Sequence, residues 1–197
     1  MRGLSQDFFE TDPLECARQL IGTTLIWGRC SGVVVESEAY LTENDEACHT
    51  FKRASTRSFV DRNEPGAIYI YLNYGMHWML NLLVKGGPRR GLILIRALEP
   101  KTGIAFMKAR RGTENLRGLC SGPGKLTQAL EITNRYHEMS ICDDSRCRLL
   151  PRQTEDIAVA ADTRIGITRS AHFPWRFTLA DCPFVSVRVR NATARPR

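Results

Sequence analysis

Residues 67–100 read AIYIYLNYGMHWMLNLLVKGGPRRGLILIRALEP, and no other stretch restricts the fold as much. Three strand-like runs follow one another, parted only by the turn-prone NYGM and KGGPRRG. Connections this short suit antiparallel neighbours, because parallel strands need a long crossover. In the first run Tyr69 and Tyr71 alternate with Ile68, Ile70 and Leu72. Period two therefore puts the tyrosines on one face and the aliphatic side chains on the other. The expectation is a curved antiparallel sheet.

The flanks supply helices and further strands. Asp12 is placed to cap a helix over LECARQLIG, with Pro13 at its first position and Gly22 at its close. Leu14, Ala17, Leu20 and Ile21 would form its buried stripe. TTLIW and GVVVESEAY read as strands paired around GRCSG, and a polar, basic loop leads from them to residue 67. Thr102 is expected to cap a helix through Met107 and Arg110. SGPGKLTQALEIT opens another near Pro123, with Leu126, Ala129, Leu130 and Ile132 facing inward. Short strands are expected at RIGIT, WRFTL and FVSVRV. The class is α+β: a single compact domain over residues 1–188, with a curved antiparallel sheet flanked by helices. A chain of 197 residues is long enough to bury a core without covalent staples. Residues 189–197, VRNATARPR, are basic and poor in apolar side chains, and are read as a disordered tail.

A formal net charge of +7 favours a polyanionic partner. The seven cysteines are odd in number and scattered, which fits reduced thiols in a cytoplasmic protein, and MRGLSQDFFE shows no signal-peptide pattern. Cys142 and Cys147 are the only close pair, and the adjacent Cys48–His49 suits no common zinc loop, so no metal is expected. The apolar runs are too short to span a bilayer as a helix.

Against that charge, Val33–Thr50 (VVVESEAYLTENDEACHT) holds five acidic residues and no lysine or arginine. Strand alternation puts Val34, Glu36, Glu38 and Tyr40 on one face. A solvated sheet face is the plain alternative. Two features speak against it. Tyr40 leads into an acidic loop ending at His49, so a carboxylate, a ring and an imidazole can converge. Arg96 lies within the apolar LILIRAL, sharing a face with Leu92 and Leu94. A buried guanidinium needs an anion, and Glu38 on a neighbouring strand is a candidate. The alternatives for Arg96 are a purely structural ion pair or a side chain that snorkels to the surface. Tyr40, Tyr69, Tyr71, Tyr74 and Trp78 add stacking surfaces of the kind a base-binding site uses. Glu43, Asp45 and Glu46 read as a solvated loop, and Glu36 as a supporting hydrogen-bond partner.

These residues resemble the alkyladenine (3-methyladenine) DNA glycosylases of the alkylpurine type. The likeness is carried by VESEAYLTENDEACH, AIYIYLNYGMHWMLN, LIRALEP and LCSGPGKL. FFETDPLECARQLIG, RIGI and PWRF extend it over nearly the whole chain. The resemblance implies a compact mixed α/β domain that flips damaged purines out of duplex DNA and hydrolyses the N-glycosidic bond. It implies that Glu38 is the general base, with Arg96 and the carbonyl of Ile165 holding the attacking water. Tyr40 would stack on one face of the base, with His49 and Tyr71 on the other. Tyr69 would orient His49, and Asn81 would crowd the purine 2-amino group. Tyr74 would enter the minor groove, flanked by Met76 and His77. Gly122, Lys125 and Arg57 would meet phosphates. No cofactor is implied; the partner is double-stranded DNA with damaged purines, and the protein would act as a monomer. The pattern departs from the family at STRS (55–58) and at Asp61–Arg62.

Two other functions compete. A non-catalytic module binding damaged DNA would use the tyrosines as a platform but has no need of Glu38 beside Arg96. A nucleoside hydrolase would have no stack for Tyr74 to fill and no need of Lys125 at a helix start.

Overall fold

The computed structural model describes residues 3–143 and 145–189, so the expected tail, Val189 apart, lies outside the described residues. Asp12 caps the first helix, α1 (Pro13–Leu20), its carboxylate accepting from the amides of Leu14 at 3.0 Å and Glu15 at 3.4 Å. Cys16, Ala17, Leu20 and the following Ile21 are buried, while Leu14 is half-buried at the edge of the same core. The helix leads into β1 (Thr24–Trp27), which pairs with β2 (Cys30–Leu41) around a tight turn.

The segment read as a basic loop instead forms two short helices, α2 (His49–Lys52) and α3 (Ala54–Arg62). Thr56, Phe59 and Val60 are its buried residues, at helical spacing, and their small number hid the pattern among polar neighbours. Both departures from the family pattern, Ser55–Ser58 and Asp61–Arg62, lie on α3.

The meander is present as read. β3 (Ile68–Asn73) turns at Tyr74–Met76 into β4 (His77–Gly86), which turns at Gly87–Pro88 into β5 (Arg89–Thr102). Then come α4 (Ile104–Arg111), α5 (Pro123–Leu130), β6 (Cys147–Leu150), β7 (Val159–Asp162) and β8 (Arg176–Leu179). All pairings are antiparallel, in the order β3-β4-β5-β2-β1-β6, with the β7–β8 pair attached to β2 through β8. The fold is α+β, with a curled sheet.

One side of the sheet holds the main core. Ile68 and Ile70, Leu80 and Leu82, Ile93 and Ile95 pack with α1 and with Leu126, Ala129 and Leu130 of α5. Each such buried side chain contributes about 1.5–3 kcal/mol relative to exposure. The other side is left for Tyr69, Tyr71, Leu92, Leu94 and Arg96.

Four expectations are corrected. Val34 packs in the core with Ala39 rather than sharing the face of Glu38, because the β2–β5 register slips between Val34 and Glu36 and again between Glu36 and Ser37. An extra residue in a strand reverses which face its neighbours meet. Thr102 does not cap α4: its hydroxyl bonds Ser31 at 2.8 Å, and Gly103, at φ 72°, holds the cap position. RIGIT is not a strand but a bend after β7, turning at Gly166 with φ 74°. FVSVRV is likewise irregular, and its Ser186 bonds the Glu36 carboxylate instead of a strand partner. No helix among the described residues is long and apolar enough to cross a membrane.

Candidate active site

Beyond its bulges, β2 sits between β5 and β8, and there Glu38 and Arg96 meet. Glu38 is fully buried. Its Oε2 accepts from the Tyr40 hydroxyl at 2.7 Å and from Arg96 Nη1 at 3.2 Å, and its Oε1 from the Ile165 amide at 2.7 Å. A carboxylate offers about four acceptor positions, so about one remains. Burial raises its pKa above the usual carboxylate value, against the pull of Arg96, the Ile165 amide and the Tyr40 hydroxyl.

Above this cluster lies a cavity of about 350 Å³, with Tyr40, Arg96 and Ile165 in its wall. His49, Tyr69, Tyr71 and Asn81 line it as well. His49 and Tyr71 pack edge to face, their centroids 4.3 Å apart. The Tyr69 hydroxyl lies 3.3 Å from His49 Nδ1 and 2.8 Å from Thr56 Oγ1. Burial, aided by Arg53, lowers the His49 pKa to about 4, so the ring is neutral at pH 7. Asn81 is buried, and its amide donates to the carbonyls of Tyr69 at 3.3 Å and Met79 at 3.4 Å.

The β3–β4 turn stands at the rim. Tyr74 is 83% exposed and Met76 71%, and His77 is exposed beside them. Tyr74 and Gly75 both have positive φ, the geometry that lifts the tyrosine clear of the hairpin. The start of α5 is fastened to this turn. Thr127 donates to the Trp78 carbonyl at 2.9 Å, and a Cβ on Gly124 would lie 2.8 Å from the His77 ring. Pro123 reaches the cavity, Gly122 occupies the N-cap position, and Lys125 is exposed in the first turn. Helix amides and a lysine at such a start favour an anion.

The structure thus gathers Arg96, Ile165, Tyr40, His49, Tyr69, Tyr71 and Asn81 around one cavity, with Tyr74 at its mouth and Glu38 directly behind the wall, bonded to Tyr40, Arg96 and Ile165. Arg57 stands apart on α3, where its Nη1 donates to the Thr50 carbonyl at 2.6 Å.

Asp45 is not part of a solvated loop. It is buried, holds Arg164 with both oxygens, and accepts from the Leu41 amide. Arg164 in turn covers the Tyr40 ring at 4.6 Å. Arg176 is another buried guanidinium, bonded to Glu36 at 2.7 Å. Both arginines stand among apolar residues, in RIGI and PWRF, so the argument that singled out Arg96 applied to them equally.

The sequence pattern of the methylpurine-DNA glycosylase (MPG) family matches residues 7–183. The chain is 42% identical over 183 residues to a Rhodopseudomonas palustris protein named "Putative 3-methyladenine DNA glycosylase", covering 93% of this chain and 87% of that one. Proteins of the same name from Agrobacterium fabrum and Chlorobaculum parvum are 41% and 39% identical. Those alignments cover 92% and 100% of this chain, and 91% and 97% of theirs. Matches of this length take in the bulged β2, the meander and the RIGI bend together, and the chain belongs to the methylpurine-DNA glycosylase family, DNA N-glycosylases of DNA repair.

Proposed function

We propose that the protein excises alkylated or deaminated purines, of the 3-methyladenine, 7-methylguanine, hypoxanthine and ethenoadenine class, from double-stranded DNA. The reading rests above all on the buried Glu38, held by Arg96, Tyr40 and the Ile165 amide under an aromatic cavity. The names of the relatives point to the same chemistry.

The flipped nucleotide enters the cavity, where Tyr40 faces one side of the base and His49 with Tyr71 the other. A cationic alkylpurine meets a neutral imidazole, so it is not repelled. Glu38 accepts a proton from water, and the water oxygen bonds to the sugar C1′. The bonding pair of the N-glycosidic bond departs with the base: a cationic purine leaves neutral, and neutral hypoxanthine or ethenoadenine leaves as an anion that takes its proton from solvent. The carboxylate also favours the positive charge that grows on the sugar. Arg96 and the Ile165 carbonyl would hold the water in line. No lysine lines the cavity among the described residues, which supports a monofunctional enzyme that leaves an abasic site.

Duplexes carrying hypoxanthine, ethenoadenine or a methylated purine, followed by base-release chromatography, test the reading. Free base with an intact abasic strand supports it. Tight binding with no release supports the non-catalytic module, and release from inosine alone the nucleoside hydrolase.

A further inference from the structure

Glu36 lies beside the proposed machinery without lining the cavity, and it is fully buried. Four donors converge on it. Its Oε1 accepts from Arg176 Nε at 2.7 Å, Ser186 Oγ at 2.9 Å and Arg96 Nε at 3.3 Å, and its Oε2 from the Ser186 amide at 2.6 Å. That carboxylate has little capacity left for water. Arg96 is shared out in turn: Nε to Glu36, Nη1 to Glu38 at 3.2 Å, and Nη2 to Ser186 Oγ at 3.5 Å.

We propose that Glu36 is a positioning residue for the excision reaction: with Ser186 it clamps the Arg96 guanidinium against Glu38 and so fixes where the general base and its water sit. The proposal rests on the reading that Glu38 activates water. A guanidinium held on one nitrogen alone can swing about its terminal bonds, whereas three acceptors on different edges fix its plane. Glu36 supplies one of these directly and anchors the second, Ser186, through both its amide and its hydroxyl. The double register slip in β2–β5 flanks Glu36, where β8 also joins β2. The strand irregularity thus brings both carboxylates to one arginine.

The clamp gives a readout that a purely structural role would leave unmoved. The groups facing this pair are Arg96 on β5, Arg176 on β8, Tyr40 on β2 and Tyr71 on β3, with Asp162 on β7 bonded to Arg176 and Arg164 of the RIGI bend over the Tyr40 ring. Burial raises the Glu38 pKa, Arg96 leads the groups that lower it, and the like charge of Glu36 raises it least. A clamp that lets go of Arg96 therefore leaves Glu38 ionising at higher pH, whereas loss of the Glu36 charge alone would move it lower.

The experiment is single-turnover base release from a hypoxanthine duplex across pH, for wild type, Glu36→Gln, Glu36→Asp, Ser186→Ala and Glu38→Gln. Glu36→Gln is expected to slow release on the order of 10–100-fold at saturating enzyme, with duplex affinity kept. Its acid limb should move to higher pH. Glu36→Asp keeps the charge but shortens the reach to Arg96, so its rate should fall and its limb should also rise. Ser186→Ala disturbs the fold least and should be slower, with its limb moved the same way. A Glu36→Gln protein whose rate loss only tracks its folded fraction, or whose limb stays put or falls, overturns the proposal. If that variant does not fold, a wild-type rate in Ser186→Ala overturns it. Glu38→Gln separates the two layers. An inactive Glu38→Gln beside a wild-type Glu36→Gln sinks the positioning role alone, whereas an active Glu38→Gln sinks the water-activation reading beneath it.

Discussion

Arg164 holds Asp45 through two hydrogen bonds, Nη1 to Oδ2 at 2.6 Å and Nη2 to Oδ1 at 2.8 Å, and neither side chain touches solvent. The same guanidinium lies 4.6 Å from the Tyr40 ring and 5.0 Å from that of Trp175. An ion pair between residues far apart in the chain therefore forms the back wall of the aromatic ring proposed to meet the base.

Asp45→Asn should destabilise the protein severely. It leaves a buried guanidinium with only the carbonyls of Ala39 and Ser170, at 2.9 and 3.1 Å, and an amide in place of its counter-charge. Breaking a buried pair from one side costs about 3–5 kcal/mol. Urea unfolding measures it, and a midpoint unchanged at pH 7 would show that the pair contributes little.

His49 makes stability depend on pH. The folded ring has a pKa of about 4 against the ordinary 6.5, because burial disfavours its charged form. Between those values the unfolded chain takes up a proton that the folded ring refuses. The contribution is therefore fully present above about pH 6.5 and is lost as pH falls toward 4. The raised pKa of Glu38 acts in the opposite sense but is common to wild type and variant. His49→Gln should thus lose less stability than wild type on acidification from pH 7 to 4.5. Parallel losses in denaturant titrations would show that the ring is protonated freely in the folded state.

Asn81→Ser should relax discrimination against guanine while alkyladenine release continues. Asn81 is fixed in the cavity wall by the Tyr69 and Met79 carbonyls, so it cannot swing aside for a 2-amino group. A smaller side chain removes that obstruction. The ratio of guanine to hypoxanthine release checks it, and an unchanged ratio places selectivity elsewhere.

The meander was legible because glycine turns part its strands and its tyrosines keep strict alternation. The convergence of Glu38 and Arg96 was legible because a charge in LILIRAL demands an anion. The slipped register around Glu36 was not, since it arises where β2 changes partner from β1 to β8, and β8 lies about 140 residues further along. Asp45 was hidden for a similar reason: its partner Arg164 is 119 residues away. RIGIT and FVSVRV alternate as strands do, but the alternation serves other ends. In RIGIT the Ile165 amide is aimed at Glu38, and in FVSVRV Ser186 meets Glu36. A loop that feeds donors to buried carboxylates has no sequence period of its own to set it apart from a strand.

Tyr74→Ala should impair base flipping more than bond cleavage. The side chain is 83% exposed at the end of the β3–β4 turn, so it is not a core tyrosine packed beneath the hairpin. Its positive φ is shared by Gly75, and Met76 beside it is 71% exposed. Three residues at a rim next to the cavity mouth thus present a ring and a thioether to solvent without a packing role to justify them. Flipping costs a few kcal/mol of lost stacking and pairing, and an inserted ring recovers part of that. An exposed substitution changes stability by about 0.5 kcal/mol or less, so the variant should melt with wild type. Single-turnover release should fall most on a hypoxanthine in a matched pair. It should recover where the lesion sits opposite a gap or in a mismatch, since extrusion is easier there. Equal slowing on every substrate would take Tyr74 out of the flipping step, and a lowered melting point would assign it to the fold instead.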